Sequence, residues 1–147
     1  MQAQVIQATE RLLDALRKEL HECGAMLALL DQQQQAVAGR SGDDVLRSVT
    51  AVNAQSAAVE QSRQLRETCR GELARLLAQP ADVTFAALIP QLPQKFRPAI
   101  DATVRENDQL IARIRQRARQ NHLLIARSLE VMQRVVNAFV PAQQPAP

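Results

Sequence analysis

The chain has 147 residues, which is enough for one ordinary domain. Trp and Tyr are absent, Phe occurs three times, and 46% of the residues are hydrophobic. All-β sandwiches and barrels draw on aromatic and β-branched residues, so this composition argues against them and favours long helices. The 18 basic and 15 acidic residues leave a small net charge of +3.

The sequence carries no feature of a membrane or secreted protein. No apolar run approaches the roughly 18–20 residues of a membrane span, and the N-terminus does not resemble a signal peptide. Cys23 and Cys69 fit no metal-binding or redox spacing. We therefore expect a cytoplasmic protein with no membrane insertion and no cofactor.

An unbroken heptad pattern predicts a first helix from about residue 3 to 38. Its seam alternates steps of three and four residues through Ile6, Thr9, Leu13, Leu16, Leu20, Cys23, Leu27, Leu30 and Val37. Leu12, Ala15 and Met26 widen this seam, and a wide seam favours a bundle over an isolated two-stranded coil.

A second helix is predicted between a turn at residues 39–42 and Pro80. Ser41 followed by Asp44 resembles a capping box and indicates where this helix begins. Val45, Val49, Val52, Ser56 and Val59 form its first stripe, and Leu65, Cys69, Leu73 and Leu76 continue the pattern on another face. The short linker predicts that the first two helices are antiparallel neighbours.

An irregular connector should follow, because four of the seven prolines fall between residues 80 and 98. Asp82 can cap a short helix there, and we expect Phe85 and Phe96 to pack the connector onto the bundle. A third long helix should begin at Pro98 and run to about Val140.

The three long helices differ little in length. We therefore predict an all-α fold, with three long helices in an up-down-up antiparallel coiled-coil bundle and a short helix between helices two and three. Residues 1–140 would form this single domain, and the Pro- and Gln-rich residues 141–147 would be a disordered tail.

Motifs for catalysis or metal binding are absent from the sequence. His21 and His122 form no H-x-x-x-H pair, and there is neither a glycine-rich phosphate loop nor a G-x-S-x-G motif. Cys23 falls on the first seam, where cysteine commonly serves as a small hydrophobic residue. We expect structural roles for both histidines and both cysteines, no metal site and no enzyme activity.

Four closely spaced arginines raise the question of nucleic-acid binding. Arg113, Arg115, Arg117 and Arg119 turn by about 200° per step on a helix, so they divide between two sides. No helix-turn-helix spacing or aromatic RNA motif accompanies them. Solvated positions or salt bridges to acidic neighbours are the favoured interpretation, and no nucleic-acid partner is expected.

Two asparagines occupy the same heptad position of the third helix. Asn107 and Asn121 lie two heptads apart in a seam that is otherwise mostly apolar. A buried asparagine at such a position can fix the register of packed helices. Alternatively, this seam is only partly covered by the other helices and recognises something outside the chain.

The end of the third helix is unusually apolar. The residues concerned are Leu123, Leu124, Ile125, Leu129, Val131, Met132, Val135, Val136, Phe139 and Val140. They cover more of the circumference than a bundle helix normally buries. Some of this surface should be exposed and would suit helix-on-helix pairing with a partner. The alternatives are a contact with the connector or with a second copy of the chain.

Three short runs in the third helix carry a family resemblance: Glu106-Asn107-Asp108-Gln109-Leu110, Arg119-Gln120-Asn121-His122-Leu123-Leu124 and Leu129-Glu130. They resemble the third helix of the FlgN family, whose members are chaperones for the flagellar type III export system. The run from Leu12 to Glu19 is similar to the opening helix of the family, in which a leucine-rich seam leads into an acidic residue.

This resemblance implies an all-helical cytosolic export chaperone. Its clients would be the hook-associated proteins of the hook–filament junction, whose terminal helices it would keep unassembled until secretion. It would then deliver them to the export ATPase and gate. The client-facing seam would consist of Asn121, Leu124, Met132, Val135, Val136 and Phe139. The alternative is a generic coiled-coil scaffold that uses the same seam to form a homodimer or a larger homo-oligomer.

Overall fold

A computed structural model describes residues 2–139, and every regular element in that range is helical. The elements are α1 (Gln2–Ala38), α2 (Gly42–Leu76), α3 (Phe85–Leu88), two 3₁₀ turns (Ile89–Gln91 and Gln94–Phe96) and α4 (Arg97–Phe139). The all-α prediction is confirmed, and the three long helices lie close to their predicted bounds. Val140 and the predicted tail at residues 141–147 lie outside the described residues.

The turns at the two ends of α2 place non-glycine residues in the left-handed region. Ser41 is the N-cap as predicted, and its Oγ accepts from the Asp44 backbone N–H at 3.4 Å. Arg40, rather than a neighbouring glycine, has a φ of 57°. Ala78 has a φ of 53° and lies in the turn that follows the end of α2. Each position is strained because a Cβ crowds the following carbonyl in this conformation.

The connector packs against the start of α4 and into a core that it shares with α1 and α2. Its buried side chains Val83, Leu88 and Leu92 share one core with α1, the end of α2 and the start of α4. Phe85 and Phe96 pack against the same core, as predicted. The predicted cap of the short helix was wrong: Thr84, not Asp82, is the N-cap of α3, and its Oγ1 accepts from the Ala87 N–H at 3.2 Å.

Side-chain contacts give the directions of the long helices. Arg11 near the start of α1 pairs with Glu72 near the end of α2, with 2.9 Å between nitrogen and oxygen, so these helices are antiparallel. Asn107 and Asn121 of α4 donate to two carbonyls of α1 that are also fourteen residues apart, in the same order. Helices α1 and α4 are therefore parallel and in constant register.

Helix α1 is the central helix, because it packs against both α2 and α4 while those two make few contacts with each other. The predicted up-down-up bundle of three helices is not confirmed, because α2 and α4 make few contacts with each other. Helix α2 buries only Ser62, Cys69, Leu73 and Ala74, all in its second half. The shared apolar core lies at the connector end, and α4 leaves that end alongside α1.

Candidate functional site

The C-terminal end of α4 extends past the rest of the described structure. Asn121 is level with Leu30, and Ala38, the last residue of α1, comes eight residues after Leu30. Because the two helices run parallel, α1 ends level with Leu129. Residues 130–139 therefore continue for about 15 Å beyond the end of α1, and every side chain from 127 to 139 is exposed.

Four apolar side chains define what we call the α4 stripe: Met132, Val135, Val136 and Phe139. Their exposed fractions are 63%, 50%, 52% and 82%, respectively. Their spacings of three and four residues place them on one side of the helix. An aromatic ring, a thioether and two branched side chains thus form an unpartnered apolar surface within the described part of the chain.

The α4 stripe continues the side of α4 that packs against α1. Met132, Val135 and Phe139 occupy the same alternating three-and-four pattern as Asn107 and Asn121, which bond to α1. The stripe is exposed because α1 ends before reaching it. The stripe therefore offers a packing surface for a second helix that lies beyond residue 38, in line with α1.

The structure separates the six residues predicted to face a partner. The four members of the α4 stripe are exposed together, whereas Leu124 is half-buried nearer α1. Asn121 is 1% exposed and lies inside the contact between α1 and α4. Its placement removes Asn121 from the surface that a partner could reach in this conformation.

Both asparagines bond to the backbone of the central helix. The Asn121 amide donates to the Leu30 carbonyl at 2.8 Å and to Gln33 Oε1 at 3.0 Å. The Asn107 amide donates to the Leu16 carbonyl at 3.2 Å. Because each bond joins one named pair of positions on α1 and α4, these contacts support the register interpretation of both asparagines.

A buried ion pair between α1 and α2 was missed by sequence reasoning. Glu19 is 1% exposed, and its Oε2 lies 3.3 Å from Nε of Arg66. Burial raises the pKa of Glu19, and the Arg66 charge opposes that rise. The sequence position of Glu19 could have indicated its burial. Glu19 lies seven residues after Leu12 and seven before Met26, and both of these residues were assigned to the widened seam.

The cysteines and histidines show no arrangement for chemistry. Cys23 and Cys69 are buried free thiols, and burial raises the pKa of each, which disfavours the reactive thiolate. His21 and His122 are exposed, so the expected structural role in packing does not apply to them. Within residues 2–139 no cluster of His, Cys, Asp or Glu could hold a metal ion.

The four closely spaced arginines do not act together. Arg117 is half-buried and pairs with Asp31 of α1, with 3.0 Å between nitrogen and oxygen. Arg113, Arg115 and Arg119 are exposed and make no ion pair with any residue between 2 and 139.

None of the described helices combines the length and hydrophobicity required to cross a bilayer.

Comparison with known proteins identifies a family. The family model described as FlgN protein matches residues 1–146, which includes every helix of the structure. Searches of curated proteins and of solved structures found no match. The family match confirms the resemblance drawn from the short runs in the first and last long helices. FlgN proteins are chaperones rather than enzymes, in agreement with the expectation that this chain is not an enzyme.

Proposed function

This chain belongs to the FlgN family of flagellar export chaperones, and from that membership we propose that the α4 stripe binds its client. The client would be a hook-associated protein of the hook–filament junction, and the bound segment would be an amphipathic terminal helix. The chaperone would cover the apolar face of that helix and keep it from assembling before secretion.

The observation that carries this proposal is the end of α1 before the end of α4. Leu124, Ile125 and Ala126 are half-buried where α1 runs alongside α4, whereas every side chain from residue 127 to 139 is exposed. A client helix of complementary pattern would continue the packing that α1 begins, with knobs-into-holes contacts of the same kind. Such a helix needs no rearrangement of the chaperone core, because the stripe is exposed in the free protein.

The size of the exposed surface indicates the strength of binding. Complete burial of a Val, Met or Phe side chain contributes about 1.5–3 kcal/mol. Val135 is half exposed and Phe139 is 82% exposed, so together they can contribute about 2–3 kcal/mol when a helix covers them. Their loss should therefore weaken binding by about 30- to 150-fold.

The test is a double substitution, Val135→Asp with Phe139→Asp. Binding of purified terminal-helix peptides from the hook-associated proteins of the same cells would be measured by isothermal titration calorimetry. The matched control is Gln133→Asp with Asn137→Asp. It adds the same two charges with the same spacing of four residues, but at exposed polar positions outside the stripe. We expect the control to bind as the wild type does.

Two outcomes would contradict the proposal. Unchanged binding by the stripe variant, with its helical content intact, would place the client elsewhere. An equal loss in both variants would mean that added charge, rather than the stripe, weakens the complex. A wild-type dimer that binds no peptide and dissociates on substitution of the stripe would instead support the homo-oligomeric scaffold.

Delivery to the export machinery is a further part of the proposed role. A chaperone that holds a terminal helix must release it where the client enters the export channel, which implies contact with the export ATPase or gate. The α4 stripe would be occupied by client during that contact, so we expect the machinery to bind another surface. The test is copurification with the control variant, Gln133→Asp with Asn137→Asp. Recovery of the ATPase with this variant when it holds client, and not with client alone, would support binding of the machinery to the client-loaded chaperone.

A further inference from the structure

The apolar surface at the end of α4 is wider than the α4 stripe. Leu129 and Val131 flank the stripe, and their side chains are 61% and 58% exposed. Successive residues of a helix are rotated by about 100°, so Val131 lies beside Val135 at one edge of the stripe and Leu129 lies beside Val136 at the other. The stripe and its two flanking residues together span an arc of about 160° around the helix axis.

The opposite side of the same turns is polar. Its exposed residues are Glu130, Gln133, Arg134 and Asn137. They lie within an arc of about 100°, centred opposite the apolar arc. Single exposed apolar residues are ordinary on a protein surface, whereas a contiguous apolar face with a polar side opposite to it marks a site of interaction.

The packed helices of the same protein show how wide an arc their neighbours bury. Among long helices, α4 packs mainly against α1. Its fully buried residues are Ile100, Thr103, Asn107 and Asn121. These four span an arc of only about 60°. Helix α1 packs against two long helices, α2 and α4, and its fully buried residues, from Ala8 to Val37, span about 160°. The apolar arc at the end of α4 therefore has the width that two neighbouring helices bury, not one.

On the basis of the client-binding role proposed above, we propose that the end of α4 holds two amphipathic helices of one client side by side. A single helix in line with α1 would pack on Met132 and Phe139, at the middle of the arc, and would leave Leu129 and Val131 in water. Two helices, one on each side of that line, cover both flanks and also bury apolar surface against each other. Two terminal helices of one client chain suit this arrangement, because binding of the first raises the effective concentration of the second.

The probes for this test are two peptides, one for the N-terminal helix and one for the C-terminal helix of the same hook-associated protein. Each would be titrated calorimetrically into the free chaperone and then into chaperone saturated with the other peptide. We expect a complex of one chaperone chain with one copy of each peptide. The second peptide should bind at least as tightly as it binds alone, because the first peptide adds apolar surface beside its site.

Substitutions at the two flanks separate the two helices. Leu129→Asp should weaken binding of one peptide by about 10- to 100-fold, and Val131→Asp should weaken binding of the other by a similar factor. The matched control is Asn137→Asp, which adds the same charge on the polar side and keeps the oxygen that accepts from Gln133. All three positions are exposed, so each variant should fold as the wild type does.

Three results would overturn the two-helix arrangement while leaving the proposed client binding in place. The first is competition between the two peptides for one site. The second is binding of both peptides by Leu129→Asp and Val131→Asp as tightly as by the control. The third is a complex with two chaperone chains in sedimentation analysis, since the second helix would then come from another copy of this chain. If the wild-type chain binds neither peptide, the proposed function itself fails.

Discussion

Substitution of Asn121 by alanine tests whether the buried asparagines hold α4 against α1. Both asparagines bond to α1, but their surroundings differ. Asn121 makes two hydrogen bonds, one of them to the buried side chain of Gln33, whereas Asn107 makes one, at 3.2 Å. We expect Asn121→Ala to destabilise the protein considerably more than Asn107→Ala does.

The magnitude follows from what each substitution leaves behind. The α1 carbonyls also accept bonds within their own helix, so neither is left unpaired. Both variants remove the same side-chain atoms, and each also removes one buried oxygen that had no partner; these effects cancel in the comparison. Asn121→Ala loses one further hydrogen bond, the bond to Gln33, and so leaves Gln33 Oε1 buried without a donor. The additional cost is about 1–3 kcal/mol.

The measurement is urea unfolding of both variants, monitored by circular dichroism at 222 nm. If the two free energies of unfolding agree within experimental error, the hydrogen bond between Asn121 and Gln33 does not contribute to stability as argued. The same preparations would be titrated with client peptide under conditions in which both are folded. A specific loss of client affinity in Asn121→Ala, with unfolding unchanged, would refute the register role and restore Asn121 to the client-facing seam.

Two further substitutions test the ion pair and the strained turn. Burial raises the folded-state pKa of Glu19, and the Arg66 charge opposes this rise. Glu19 therefore contributes to stability below pH 4.5, the ordinary pKa of a glutamate, and this contribution is lost as the pH rises through the folded-state pKa. The stability of Glu19→Gln relative to wild type should therefore increase between about pH 4 and pH 7, as measured by urea unfolding, and a constant difference would contradict this. Ala78→Gly relieves a φ of 53° and should raise the free energy of unfolding by about 0.5–1 kcal/mol. The same change at exposed, helical Ala54 should lower it by about 1 kcal/mol, and equal effects at both sites would refute the strain argument.

Periodic features of the fold could be predicted from the sequence. The heptad of α1 and the seam of α4 each repeat over many turns, and such repetition predicts a helix whatever its partners are. The Asn107–Asn121 spacing was visible for the same reason. The extension of α4 beyond α1 could not be predicted in this way, because it depends on the alignment of two helices that are distant in sequence.

The packing of α2 departed from its hydrophobic pattern. Leu65 was assigned to the second stripe, but it is 44% exposed, and small Ser62 is buried in its place. The first half of α2 contains no buried residue. A stripe pattern locates the apolar face of a helix but does not show how much of that face another helix covers. A three-helix bundle was therefore predicted, although α2 and α4 make few contacts with each other.

Glu19 was missed because a carboxylate is read as solvent-exposed wherever it occurs. Its heptad position argues otherwise: Leu12, Glu19, Met26 and Gln33 are spaced by seven residues, and all four are buried. The polar members face specific partners, Arg66 in one case and Asn121 in the other. A polar residue that interrupts an apolar column therefore identifies a candidate contact between helices.

The proposed client surface lies far from the core that the connector shares with α1, α2 and α4. Ile100 of that core and Met132 of the stripe are 32 residues apart on one continuous helix, a distance of about 48 Å. Substitutions separated by this distance should act independently. A loss of client binding in the stripe variant can therefore be assigned to the stripe itself, and any accompanying change in the connector core would require an effect transmitted along α4.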